Sequence, residues 1–456
     1  MASAPFEVPG PTSPFAVNVD QRYLVVPEFT LESGVRLTNA PVAFQTWGKL
    51  DSTGSNVIVV CHAISGNVVA TEWWSFFVGP GRVLDTNKYF VVCCNVIGSP
   101  YGTASPVTRR GGEDVQNGQW TCAKHVRASK EQTEITWWAD EFPHTTLRDD
   151  VRLHKHVLDY VGVQQIALVI GGSMGGMLSL EWPLCFPVRN PGSVDALPNG
   201  SKNEQPYIRG VALLASPARH SAWSIAWSEI QRASIAADAR YKGGRYLLSD
   251  PPEQGLASAR MCAMMTYRHP DSVDRRFRRL RGKQNLKPAA DKSGEITKLA
   301  EKSGTTPAEL AKIEGQQSRE MFAVQSYLKY QGEKFLERFD TNCYVHLTHK
   351  LDAHDAARDR HSWAKDSGSA DSDEVLAGVL RHLGTSPVGC KVITFSITSD
   401  LVYPPPDQYF IHHSVPGSQL QVVDSSEGHD AFLLNLPSIE NAVRAFMQKL
   451  SASAKL

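Results

Sequence analysis

Apolar residues in this chain gather into short uninterrupted blocks separated by polar, glycine-containing stretches. Residues 42–47, 57–62, 89–94, 166–170, 210–215, 392–397 and 420–423 each read as a strand. Blocks that are apolar at every position suit parallel strands buried on both faces. Between them the period changes. Residues 145–161 set Leu147, Val151, Val157, Leu158 and Val161 on one side of a helix that leads into 166–170, and a helix-forming run follows at 177–182. The alternation predicts an α/β fold built on a mostly parallel, doubly wound sheet. From about 221 to 383 the strand pattern stops and helical runs take over, at 223–237, 255–267, 308–313 and 323–339. The expected organisation is a sheet domain from 1–220 and 384–456, closed by a helix at 438–450, with 221–383 inserted as a helical cap. The first residues, rich in Pro, Ser and Ala, read as a loose arm. Segments 110–140 and 190–205 read as polar loops, and 281–318, rich in Lys, Gly and Ser, as partly disordered.

Length and composition narrow the class. With 456 residues, 42% of them hydrophobic, the chain can bury a large core. Lys plus Arg and Asp plus Glu both number 47, so no overall field draws it to nucleic acid or an anionic membrane. A basic run, Arg275-Arg276-Phe277-Arg278-Arg279-Leu280-Arg281, reads as a solvated face, because no nucleic-acid motif accompanies it. Eight cysteines lack metal spacing, and the adjacent Cys93 and Cys94 suit a disulfide poorly. With neither a signal peptide nor an apolar run of ~20 residues, the expected location is the cytoplasm, with no membrane partner. No metal, flavin or nucleotide motif is visible.

The candidate chemistry centres on Gly171-Gly172-Ser173-Met174-Gly175. This Gly-x-Ser-x-Gly stands between a strand and a helix, the context in which an α/β-hydrolase fold holds its nucleophilic serine in a strained, exposed turn. Side chains at Gly171 and Gly175 would collide with neighbouring backbone. A serine hydroxyl needs a base and an acid to orient that base, and on this fold they follow in the order Ser, Asp or Glu, His. Asp400 lies just past the strand at 392–397, and His429 past the strand at 420–423, both where open α/β sheets build their sites. An oxyanion hole needs two backbone amides. One is expected from Met174. The other is placed at Ile64, with Ala63 and Ser65 as alternatives, in the loop that follows the strand at 57–62. His62 precedes the serine and is read as a loop anchor.

At these residues the chain resembles the homoserine O-acetyltransferase family, especially its fungal members. The resemblance runs over nearly the whole chain, through Phe29 to Gly34, Cys61 to Gly66, Gly98 to Gly102, Thr146 to Arg152, Gly171 to Trp182, Ala218 to Trp223, Gln325 to Leu328, Arg338 to Tyr344 and Glu427 to Leu433. It implies transfer of an acetyl group from acetyl-CoA, a substrate rather than a bound cofactor, to the hydroxyl of L-homoserine on the way to methionine. It implies Ser173, Asp400 and His429 as the triad, Arg260 as the holder of the amino-acid carboxylate and Asp430 as the holder of its amino group, with Tyr267 reaching the same pocket. It also implies a homodimer built through the cap. The same chemistry on L-serine or a deacetylated β-lactam precursor, a succinyl donor, and a plain serine esterase remain alternatives. The segments 110–140, 190–205 and 281–318 depart from the compact bacterial pattern.

Overall fold

The computed structural model describes residues 4–8, 13–110, 115–116, 119–120, 137–189, 206–281, 306, 321–364, 372–385, 389–434 and 436–453. The expected loop at 190–205 and the expected helix at 308–313 lie outside them, as does all of 281–318 except Arg281 and Thr306. Within 110–140, so do 111–114, 117–118 and 121–136.

Among the described residues, nine strands form one sheet: β1 (Phe6–Val8), β2 (Arg22–Thr30), β3 (Arg36–Trp47), β4 (Val57–Cys61), β5 (Phe90–Cys94), β6 (Ile166–Gly172), β7 (Gly210–Leu214), β8 (Lys391–Ile397) and β9 (Gln419–Val423). Their order is β1-β2-β3-β5-β4-β6-β7-β8-β9. From β5 to β9 every pairing is parallel, whereas β1, β2 and β3 join antiparallel. The continuous apolar blocks explain the parallel part. Every residue of β4, β6 and β7 is buried, and separate apolar clusters cover the two faces of the sheet.

The N-terminal region differs from the loose arm expected. Phe6–Val8 pairs with β2 at the sheet edge, and Glu7 forms an ion pair with Arg22 at 2.7 Å. Strand β2 itself escapes a pattern reading, because Pro27 and Glu28 interrupt its apolar run. Tertiary pairing decides its conformation instead.

Helix α1 (Leu147–Tyr160) begins on a capping box, in which Thr146 and Asp149 satisfy each other's amides. Helix α2 (Met174–Cys185) runs back from β6 and is buried along its whole length. Between β7 and β8 the chain forms α3 (Ala222–Ala236), α4 (Glu253–Tyr267), α5 (Pro270–Phe277), α6 (Ala323–Leu336), α7 (Thr341–Asp352) and α8 (Asp373–Thr385). Helix α4 packs on α3 and α6, and α7 packs on α3. The last of them, α8, packs instead on β8 and on α9 (Pro405–Ser414). A fully buried pair, Lys350 with Asp150 at 2.7 Å, ties α7 to the start of α1. Helix α10 (Pro437–Ser453) lies against β8 and β9.

Candidate active site

Because β4, β6, β8 and β9 run parallel, their C-terminal ends share one edge, and the four loops leaving that edge converge. They carry Ile64, Ser173, Asp400 and His429 respectively.

Ser173 turns the chain from β6 into α2 at φ 58° and ψ −130°, a backbone form that strains any residue with a Cβ. Two hydrogen bonds hold it there: its amide donates to Leu214 O at 3.0 Å, and its carbonyl accepts from Ser216 Oγ at 2.8 Å. The flanking glycines are required by contact. A Cβ on Gly175 would stand 2.1 Å from Cys61 O, and one on Gly171 would stand 2.4 Å from Gly175 O. Met174 supplies the first amide of α2, and first-turn amides have no acceptor within their own helix. Ile64, with Ala63 and Ser65, lines the same cavity as Ser173.

Asp400 and His429 meet. The imidazole Nδ1–H donates to Asp400 Oδ2 at 2.7 Å, and Asp400 Oδ1 accepts the amides of Val402 and Tyr403 at 2.8 and 3.0 Å. With its proton on Nδ1, the neutral ring presents the lone pair on Nε2. That nitrogen is buried and has no hydrogen-bond partner within the described residues. Tyr267, Tyr403 and Phe432 box the ring, with centroids 6.0, 5.2 and 5.3 Å away. Gly428, at φ 71°, lets the turn slide under the end of α4, where a Cβ would stand 2.7 Å from Tyr267 O.

Ser173 and His429 line one cavity of about 410 Å³ together with Arg260, Tyr267 and Asp430. Arg260 sits over the rings of Tyr267 and Phe335 at 5.7 and 4.8 Å. Its Nη1 is buried without a hydrogen-bond partner, which leaves a donor for an incoming anion. Asp430 is less free than the sequence suggests. Arg268 Nε lies 3.0 Å from its Oδ2 and also links it to Glu427, paired with Arg268 Nη1 at 2.7 Å. Burial raises the pKa of Asp430, against the opposing pull of Arg268, His429 and Arg260. Burial likewise raises that of Tyr267. His62 is the loop anchor expected. Its Nδ1–H donates to Ala63 O at 2.8 Å, its Nε2 accepts the Val96 amide at 3.2 Å, and burial lowers its pKa to about 4. Among the described residues, no group of three or more His, Cys, Asp or Glu is placed to hold a metal ion.

A profile of the alpha/beta hydrolase fold matches residues 56–436. Homoserine O-acetyltransferase FUB5 of Gibberella fujikuroi is 40% identical over 449 residues, spanning 97% of this chain and 91% of that protein. The homoserine O-acetyltransferases of Emericella nidulans and Saccharomyces cerevisiae are 36% and 35% identical, over 96% and 94% of this chain and 89% and 86% of theirs. The chain belongs to the homoserine O-acetyltransferase family. Among solved structures, homoserine O-acetyltransferase from Bacillus anthracis superposes with TM-score 0.65 at 19% identity, over 94% of this chain and 97% of that one. Esterase E22 superposes with TM-score 0.66 at 19% identity, over 94% and 99%. At such identities the likeness speaks for the fold.

Three side chains of this family member's site have no individual signal in its sequence. Arg338 lines the cavity, Arg268 engages Asp430, and Asp407 in the first turn of α9 lies within the field of Asp400. Arg338 stands inside one of the segments that carry the family resemblance, which was the one available hint. The other two depend on how α4 and α9 approach Asp400 and His429.

Proposed function

We propose that this protein is an enzyme that moves an acetyl group from acetyl-CoA to the hydroxyl of L-homoserine, a step toward methionine, through an acetyl-serine intermediate. One observation carries the reading: a histidine oriented by a buried carboxylate, with Nε2 unpartnered, shares a cavity with the strained serine and with an arginine holding a free donor. Family membership supports homoserine as the acceptor.

In the first half-reaction His429 Nε2 takes the proton of Ser173 Oγ as that oxygen attacks the thioester carbonyl. The amides of Met174 and Ile64 hold the resulting oxyanion, each worth roughly 3 kcal/mol by analogy with other acyl transferases. The C–S bond breaks and the thiolate of CoA leaves with the proton from His429. In the second half, Arg260 forks onto the carboxylate of homoserine and Asp430 takes its ammonium on the side away from Arg268. His429 removes the proton of the homoserine hydroxyl, which attacks the acetyl carbon; the bond from that carbon to Ser173 Oγ breaks, and the oxygen regains its proton from His429. Water is the competing acceptor, so residues 221–383, acting as a cap, favour transfer over hydrolysis by limiting its access.

Two accompanying readings belong to the same proposal. Copies of the chain pair through the cap, supported by Trp223 and Ile230, which stand 53% and 47% exposed on α3. Ile230→Asp tests this by sedimentation. The cytoplasm is the compartment, supported by seven unpaired described cysteines. The decisive experiment on the chemistry is mass spectrometry after acetyl-CoA alone. It should find acetyl on the Ser173 peptide, discharged by homoserine more readily than by L-serine. A Ser173→Ala protein that still made O-acetylhomoserine would end this mechanism.

A further inference from the structure

The basic run at 275–281 is not placed at random in the fold. Helix α5, which carries its start, follows α4 after two residues, and α4 bears Arg260 and Tyr267. Side chains around α5 are fastened to the turn that holds the histidine. Arg268 pairs with Glu427 and Asp430, Ser272 Oγ donates to Glu427 Oε2 at 2.9 Å, and the Arg275 guanidinium donates to the Ser426 hydroxyl. A small cleft lined by Arg268, Ser272, Arg276, Phe277 and Tyr327 adjoins the catalytic cavity through Met264, which borders both.

The charges here are not spent on carboxylates. Arg275, Arg276, Arg278 and Arg279 are exposed, and among the described residues none of them forms an ion pair with an acid. Aromatic faces support two of them instead. Arg276 lies over Phe277 and Tyr327 at 5.3 and 5.2 Å, and Arg279 over Phe322 at 5.1 Å. Arg278 ends α5 at φ 46°, a left-handed form for which glycine is the usual residue. In a chain of zero net charge, this is a concentrated cationic surface beside one wall of the site.

We propose that this surface, centred on Arg278 and Arg279, docks the phosphorylated nucleotide end of the acyl-CoA donor. The donor is a thioester at one end and a polyanion at the other, joined by a long flexible arm. Guanidinium groups match phosphate oxygens in pairs, and a solvent-facing patch suits an end that never enters the cavity. The inference rests on the acetyl-CoA reading above and deepens it.

The test compares acetyl-CoA with acetyl-pantetheine, which has the same reacting end and no nucleotide. The parent enzyme should show the lower KM for acetyl-CoA, and that KM should rise with added NaCl. In the Arg278→Gln/Arg279→Gln variant the KM for acetyl-CoA should rise roughly ten-fold and lose its salt dependence. The KM for acetyl-pantetheine should move less than two-fold, which also reports that the variant is folded. An unchanged preference for acetyl-CoA in the variant overturns the docking surface alone. A parent enzyme that consumes no acetyl-CoA removes the donor reading and the docking surface with it. If the variant instead loses affinity for a single-stranded RNA oligonucleotide while both donors are unaffected, the patch serves nucleic acid and the proposal is wrong.

Discussion

Replacing Asp407 by Asn should stabilise the protein at neutral pH. Asp407 Oδ2 is buried without a hydrogen-bond partner. Burial, and then the nearby charge of Asp400, push its pKa up from 3.8 to about 6. The sign follows from linkage. A carboxyl that binds its proton more tightly when folded contributes fully below about pH 4, and that contribution is lost as pH rises through about 6. Two pH units correspond to ~3 kcal/mol at 1.36 kcal/mol each. Two effects reduce this. The side chain is only partly buried, so solvent screens the cost. Asp407 also sits in the first turn of α9, where the helix dipole favours a negative charge by ~0.5 kcal/mol. The surviving effect is roughly 1–2 kcal/mol. Urea unfolding should therefore show Asp407→Asn and parent nearly equal at about pH 4, with the variant ahead by that amount at pH 8. Equal stabilities at pH 8 would refute the reasoning.

Three further outcomes are expected. Asp400→Asn turns an amide NH₂ toward Nδ1 and moves the ring proton to Nε2. The kcat should fall by ~10⁴ with unfolding unchanged, and a loss below ten-fold would remove Asp400 from its orienting role. Arg260→Gln should raise the KM for homoserine by about 100-fold while moving that for acetyl-CoA only slightly. The reverse pattern would reassign the arginine to the donor. In Gly176→Ala the new Cβ would stand 1.9 Å from Ser216 Oγ, the group that bonds Ser173 O. A destabilisation of about 1–3 kcal/mol should follow and be largely relieved in Gly176→Ala/Ser216→Gly, so an uncorrected double variant would place the clash elsewhere.

What could be read in advance had a local cause. The parallel strands are apolar at consecutive positions because both faces are covered, so β4, β6, β7 and β8 are legible from composition alone. Ser173 lies in a turn marked by its glycines, of which Gly171 is dictated by collision within the turn and Gly175 by collision with Cys61 O of β4. Asp400 and His429 become candidates because each follows a strand in a set order, and their side chains lie 2.7 Å apart. Features set by distant pairing were not legible. Phe6–Val8 is a strand only because β2 lies beside it, and β2 carries a proline. Arg268 reaches Asp430 only because Gly428 lets α4 come close to the histidine turn. The environment of Asp407 arises where α9 meets Asp400, which no window of sequence contains.

Helices α3 to α8 enter the chain between Ser173 and the Asp400–His429 pair, and this orders events during synthesis. The elbow with Ser173 leaves the ribosome first, whereas the imidazole at 429 follows 256 residues later. At ~5–20 residues per second this delay is roughly 13–50 s. Throughout it the nascent Ser173 lacks the imidazole proposed to activate it. On that proposal an unfinished chain turns over no thioester, and competence arrives only once β8 and β9 have joined the sheet.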